Sequence, residues 1–180
     1  MSLVGYTNAG KTSLFNLLTK KNKTVEDALF VTLDSVTGNI YLPNLKREIL
    51  LSDTIGFIKN LPVGLIDAFK STLIESIYSD LLLHVVDIKD EDYPAKIKVV
   101  DNLLTDLKLD KKRKIYVFNK TEGNKDLIRK TRKLMEKLPV CFVSAKTGLG
   151  KDSLLSCIEE NLTKDKSGDY NLSVSLAVLD

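Results

Sequence analysis

The sequence predicts an α/β fold, a six-stranded, mostly parallel sheet with helices on both faces. Three observations predict it. Short apolar runs alternate with helical patterns along most of the chain. The 180 residues are about one domain's worth. A single connection between neighbouring strand candidates is too short for a parallel crossover, so antiparallel pairing is confined to one edge.

The elements follow in order. A strand over 2–4 leads into a glycine-rich loop at Gly5 and a helix over 12–20. Strands over 36–42 and 47–52 are separated only by Pro43-Asn44-Leu45-Lys46 and pair as a hairpin. A helix over 65–79 precedes the apolar strand 81–87. The helix over 94–107 carries Ile97, Val100, Leu103, Leu104 and Leu107 on one face, with Pro94 in its first turn, where no backbone donor is lost. A strand over 114–119, a helix over 125–138, a strand over 140–144 and a helix over 151–162 complete the alternation. Residues 163–169 are polar. From Tyr170 to Val178 apolar and small polar residues then alternate with period two, as in an added edge strand or the first strand of a small C-terminal unit. The first strand is a three-residue stub after Met1, as expected of a piece of a longer chain or of a small protein that starts close to its loop.

Composition narrows the function classes. The 43% hydrophobic and 28% charged residues are ordinary for a globular domain. A net charge of +3 is too small to argue for nucleic acid, so DNA is not an expected partner. The longest apolar stretches, such as Leu81-Leu82-Leu83, fall far short of the ~18 residues of a membrane span, and no secretory pattern opens the chain. Cys141 and Cys157 have no metal-ligand spacing and read as reduced core residues, which points to the cytoplasm.

Chemistry enters at Gly5-Tyr6-Thr7-Asn8-Ala9-Gly10-Lys11-Thr12, which fits G-x-x-x-x-G-K-[ST] between a strand and a helix, followed by Ser13. Such a loop turns backbone N–H groups inward around phosphate oxygens, and the helix N-terminus adds positive potential. Lys11 offers charge to the β- and γ-phosphates, and Thr12 offers a hydroxyl to Mg²⁺. Three further motifs each follow an apolar strand. Asp53-Thr54-Ile55-Gly56 fits D-x-x-G, with Asp53 able to hold magnesium through a water and Gly56 able to reach the γ-phosphate. Asn119-Lys120-Thr121-Glu122 offers an amide and a carboxylate to the edge of guanine. Ser144-Ala145-Lys146 offers backbone donors to the guanine oxygen. The ordered set predicts a P-loop NTPase fold that binds GTP and GDP.

The wording of these motifs resembles the HflX family of translation-factor-related GTPases. The resemblance rests on Gly5–Asn16 (GYTNAGKTSLFN), on Asp53–Ile58 with Leu61-Pro62, on Leu81–Asp87 and on Leu29–Asp34. It spans roughly residues 2–162 and implies a GTP-binding domain over 1–162, with residues 163–180 a linker and strand. It also implies that Phe30, Val31 and Thr32 lie in the first switch, with Thr32 a magnesium ligand closing over the γ-phosphate. Thr37, inside the following strand, is the alternative. The family's N-terminal domain, which contributes to ribosome contact, precedes the P-loop and has no counterpart in this sequence. The implied partner is the large ribosomal subunit, bound weakly by this chain. Asn8 stands where some related GTPases use asparagine to help bind K⁺; the other reading is that it supports the loop's turn.

Two departures bear on mechanism. The family's guanine motif is N-K-x-D, and Glu122 keeps that carboxylate on a longer arm. Many GTPases carry a water-orienting glutamine just after D-x-x-G, where this chain has Phe57, and no arginine precedes Arg47. Lys11, Thr32 and Gly56 are then the candidate catalytic residues, and hydrolysis should be slow. His84, the single histidine, reads as a buried structural residue. Lys125, Arg129, Lys133 and Lys137 form a basic stripe opposite Ile128, Leu134 and Leu138, which reads as a solvated helix face.

Overall fold

In the computed structural model, residues 1–19, 36–53 and 78–163 are described. They form strands β1 (Ser2–Val4), β2 (Val36–Leu42), β3 (Arg47–Asp53), β4 (Leu81–Asp87), β5 (Arg113–Asn119) and β6 (Val140–Phe142). The helices are α1 (Lys11–Thr19), α2 (Tyr93–Asp106), α3 (Lys125–Leu134) and α4 (Lys151–Thr163). The helix expected over 65–79 (all but its last two residues), the alternating segment 170–178, and Phe30, Val31, Thr32 and Gly56 lie outside the described residues.

The strands make one six-stranded sheet in the order β2-β3-β1-β4-β5-β6. Every pairing is parallel except β2 with β3, an edge hairpin in register from Val36↔Asp53 to Leu42↔Arg47. Lys46 takes φ 49° to close its turn. Glu159 of α4, buried, receives the N–H groups of Asn44 (2.7 Å) and Leu45 (3.3 Å) and the Asn44 amide, so the last helix clamps the hairpin tip.

The central strands β1, β4 and β5 are buried on both faces for most of their length, which is why β4 and β5 read as nearly continuous apolar runs, whereas β2 alternates buried and exposed residues. Alternate residues of β4 go to opposite sides: Leu81, Leu83 and Val85 pack with α1 and α4, and Leu82 and Val86 face the other layer, against residues of α2 and α3. Leu14, Phe15 and Leu18 of α1 and Leu154, Leu155 and Ile158 of α4 fill the first layer. Ile97, Val100 and Leu104 of α2 fill the second, as the period predicts. Phe118 is fully buried, stacked on Phe142 (5.4 Å) and edge-on to Tyr93 (5.6 Å). Each such pair contributes about 0.5–1.5 kcal/mol beyond burial, which fixes the end of β5 where Asn119 emerges.

Three expectations are corrected. α3 stops at Leu134, not 138, because Pro139 disfavours helical geometry at Leu138, and the chain turns first, with Leu138 N–H donating to Met135 O (2.9 Å). β6 stops at Phe142 because Ser144 turns away to donate its N–H to Leu149 O (2.9 Å). Leu134 is 45% exposed, and the inner face of α3 is instead formed by Thr131 with Leu127 and Ile128, and continued past its end by Met135.

β1 is the point where the strand order reverses. The chain first moves to β2 and β3 on one side, then to β4, β5 and β6 on the other. In open α/β sheets the crevice at the carboxyl ends of such strands is where ligands bind.

Candidate functional site

The loop after β1 needs its glycines for shape. Gly5 has φ 150°, and a Cβ there would stand 2.3 Å from Val85 O; Gly10 has φ 88°, and its Cβ would stand 2.3 Å from Asn119 Nδ2. Asn8 takes φ 61°, a left-handed conformation that asparagine tolerates better than most residues. The loop delivers the chain directly into α1, whose N-terminus favours negative charge. Lys11 is buried and folds back over the loop, donating from Nζ to Gly5 O and Tyr6 O, both at 3.2 Å. Burial lowers its pKa to about 8 against the opposing pull of Asp53.

At the next residue, the Thr12 hydroxyl donates to Asp53 Oδ2 at 3.0 Å. Asp53 is the last residue of β3 and is fully buried. A hydroxyl and a carboxylate side by side at a helix N-terminus are hard oxygen donors of the kind magnesium takes when it keeps waters and phosphates as its other ligands. Among the described residues no cluster of three or more His, Cys, Asp or Glu could hold a metal alone. The donors therefore fit an ion that arrives with phosphate.

At the other end of the crevice Asn119 closes β5. Its Nδ2 donates to Ala9 O (3.1 Å), and its Oδ1 accepts from Ala145 N–H (2.9 Å). One buried side chain thereby ties the phosphate-type loop to the loop after β6. Lys120, at φ 62°, reaches back to Asn8 O (2.9 Å) and pairs with Asp87 (2.7 Å). Ser144 is fully buried, its Oγ accepting from Thr147 N–H (3.2 Å), while Lys146 is exposed. Glu122 pairs with Lys89 Nζ (2.8 Å), and the hydrogen bond from Lys89, with Ser144 beside it, lowers its pKa to about 2.

Gly5 through Ser13, Asp53, Asn119, Lys120, Glu122, Ser144, Ala145 and Lys146 thus gather at the carboxyl ends of β1, β3, β5 and β6. Sequence reasoning missed Asp87 and Lys89. Asp87 carried a signal, since it ends an apolar strand as Asp53 and Asn119 do and stands opposite Asn119 in register. Lys89 carried none.

Known proteins share this sequence and fold. Residues 1–120 match the family described as 50S ribosome-binding GTPase. The GTPase HflX of Caldanaerobacter subterraneus subsp. tengcongensis is 44% identical over 170 residues, covering 92% of this chain and 37% of that protein. The GTPase HflX of Methanocaldococcus jannaschii is 44% identical over 170 residues, covering 90% and 41%. The chain spans about two-fifths of the length of these relatives. Among solved structures, a GTP-binding protein of Sulfolobus solfataricus in complex with GDP superposes with a TM-score of 0.71 at 28% identity, over 90% of this chain and 51% of that one. A variant of Aquifex aeolicus Era shares the fold, with a TM-score of 0.71 over 92% of this chain and 57% of that one. The chain belongs to the family of 50S ribosome-binding GTPases and, within it, matches the HflX members.

Proposed function

We propose that this domain binds GTP and GDP with Mg²⁺ along the carboxyl ends of β1, β3, β5 and β6 and hydrolyses GTP slowly. The observation that carries the reading is Asn119, bonded at once to Ala9 and Ala145. It makes the phosphate end and the base end one cradle, with groups suited to both parts of a nucleotide.

In this reading the loop from Gly5 to Lys11 and the first turn of α1, with Thr12 and Ser13, take the phosphates, with Lys11 moving from its carbonyls to a phosphate oxygen. Thr12 and Asp53 hold the magnesium ion, which when bound supplies charge neutralisation at the phosphates. Asn119, Lys120 and Glu122, with the backbone of Ser144, Ala145 and Lys146, take the base. By the family resemblance Thr32, in the first switch with Phe30 and Val31, is a further magnesium ligand that closes over the γ-phosphate, and the Gly56 N–H reaches the γ-phosphate. Asn8 has a sufficient role in the turn, and a K⁺ contact there is the part of the reading that rests on one residue.

Hydrolysis needs an oriented water and a positive charge for the transition state. Phe57 cannot orient water by hydrogen bonding, and residues 1–46 contain no arginine. The expected single-turnover rate at saturating GTP is on the order of 10⁻⁴ s⁻¹, since an arginine finger is worth about 10³–10⁵. A rate near 1 s⁻¹ contradicts this. The same assay in K⁺ and in Na⁺ at equal ionic strength tests Asn8, and equal rates remove the K⁺ contact. The large ribosomal subunit is the proposed partner and the cytoplasm the proposed location. Co-sedimentation with purified subunits should show weak binding, and a full-affinity complex contradicts the expectation.

A further inference from the structure

We propose that Lys89 is a specificity-determining residue of the base end, holding the Glu122 carboxylate where it reads the N1 and exocyclic amino groups of guanine. This rests on the guanine reading above.

Glutamate in place of aspartate adds one methylene and one free torsion, so its carboxylate has more positions to lose before it can pair with a base. Lys89 removes that freedom. Its Nζ holds Oε1 at 2.8 Å, and Oε2 is shielded from solvent and accepts no hydrogen bond among the described residues. A carboxylate has about four lone-pair sites. Lys89 uses one, and the carboxylate, on a side chain 31% exposed, keeps others for a ligand's donors.

The backbone on both sides is fixed. Ile88 is buried, and its N–H donates to Asn119 O (3.1 Å), while Lys89 N–H donates to Asp87 Oδ1 (2.9 Å). Across the gap, Asn124 N–H donates to Thr121 O (3.2 Å), and the Asn124 amide donates to Glu122 O (3.0 Å). Of the acidic residues flanking Lys89, Asp87 pairs with Lys120 and Asp90 with Lys96, while Lys89 itself pairs with Glu122. Through that pair the loop after β4 joins the base end.

An exposed ion pair with no positioning role would change little when broken. The experiment measures GDP, IDP and ADP affinities by calorimetry with Mg²⁺ for the 180-residue chain. The variants are Lys89→Met, Lys89→Arg, Glu122→Asp and the double Lys89→Met/Glu122→Asp. IDP lacks the exocyclic amino group, so the GDP:IDP ratio reports the carboxylate's position. Lys89→Met should lose about five- to tenfold in GDP affinity, with a falling GDP:IDP ratio. Lys89→Arg should restore both. In the Glu122→Asp background, Lys89→Met should cost less than about twofold, because the short arm needs no anchor. An unchanged ratio in Lys89→Met, or an equal loss in both backgrounds, overturns the proposal. A wild-type chain that binds ADP as well as GDP overturns the guanine reading beneath it instead.

Discussion

Asn119 donates to the carbonyl of Ala9 at 3.1 Å, across 110 positions of sequence, and in doing so stands 2.3 Å from where a Cβ on Gly10 would lie. The loop that surrounds a phosphate and the residue that faces a base are therefore built against each other. A side chain on Gly10 would break the join as surely as loss of the amide.

Asn119→Ala removes the donor to Ala9 and the acceptor for Ala145 together. One buried and one part-buried hydrogen bond at about 1 kcal/mol each should cost about 2 kcal/mol of stability in urea unfolding. Guanine-nucleotide affinity should fall by about 100-fold or more, since both ends of the cradle lose their tie. A variant that keeps its affinity would mean the tie is incidental.

Thr12→Ala removes the hydroxyl bonded to Asp53. GTP affinity measured with magnesium and with chelator should differ strongly in the wild-type chain. In the variant that difference should shrink on the order of tenfold. An unchanged magnesium gain would move the metal's ligand elsewhere.

His84 provides a pH test of stability. Burial lowers its pKa, outweighing the hydrogen bond and charge of Asp101, while Lys114 and Lys11 push the same way as burial. Tyr116 packs on its other side, ring centroids 5.2 Å apart. The folded chain thus binds a proton here less readily than the unfolded one, whose histidine titrates near pH 6.5. Stability from the neutral ring is full above about 6.5 and is lost as pH falls below it. His84→Gln should flatten the melting-temperature profile below about pH 6.5. Parallel profiles contradict the assignment.

Glu159→Ala should destabilise by about 2–4 kcal/mol, because the Asn44 and Leu45 N–H groups lose their acceptor at a part-buried hairpin tip. Denaturant unfolding measures it, and a change under about 0.5 kcal/mol would show that the clamp contributes nothing.

What the sequence made legible follows from range. The hairpin could be read from Pro43 to Lys46 because a four-residue connection forbids a crossover, and β4 could be read because its apolar run is unbroken. The phosphate loop could be read because its residue pattern falls within eight consecutive positions, although the groups that exclude a side chain at Gly5 and Gly10 come from Val85 and Asn119. Glu159 could not be read as the hairpin's clamp, since its partners lie 115 and 114 positions away. Nor could Lys89, a surface lysine in a polar turn, whose meaning depends on Glu122 arriving beside it from the turn after β5. The overrun of α3 has a local cause that was present in the sequence, Pro139, whose effect begins several residues earlier.

The central claim is a cradle that selects a guanine nucleotide, and competition at equilibrium tests it most directly. Labelled GDP bound with Mg²⁺ to the chain is displaced by unlabelled GTP, GDP or ATP. A wrong base leaves Asn119 and Glu122 with unpaired polar groups, so GTP and GDP should compete at concentrations about 100-fold or more below ATP. ATP displacing the label as well as GTP would contradict the account.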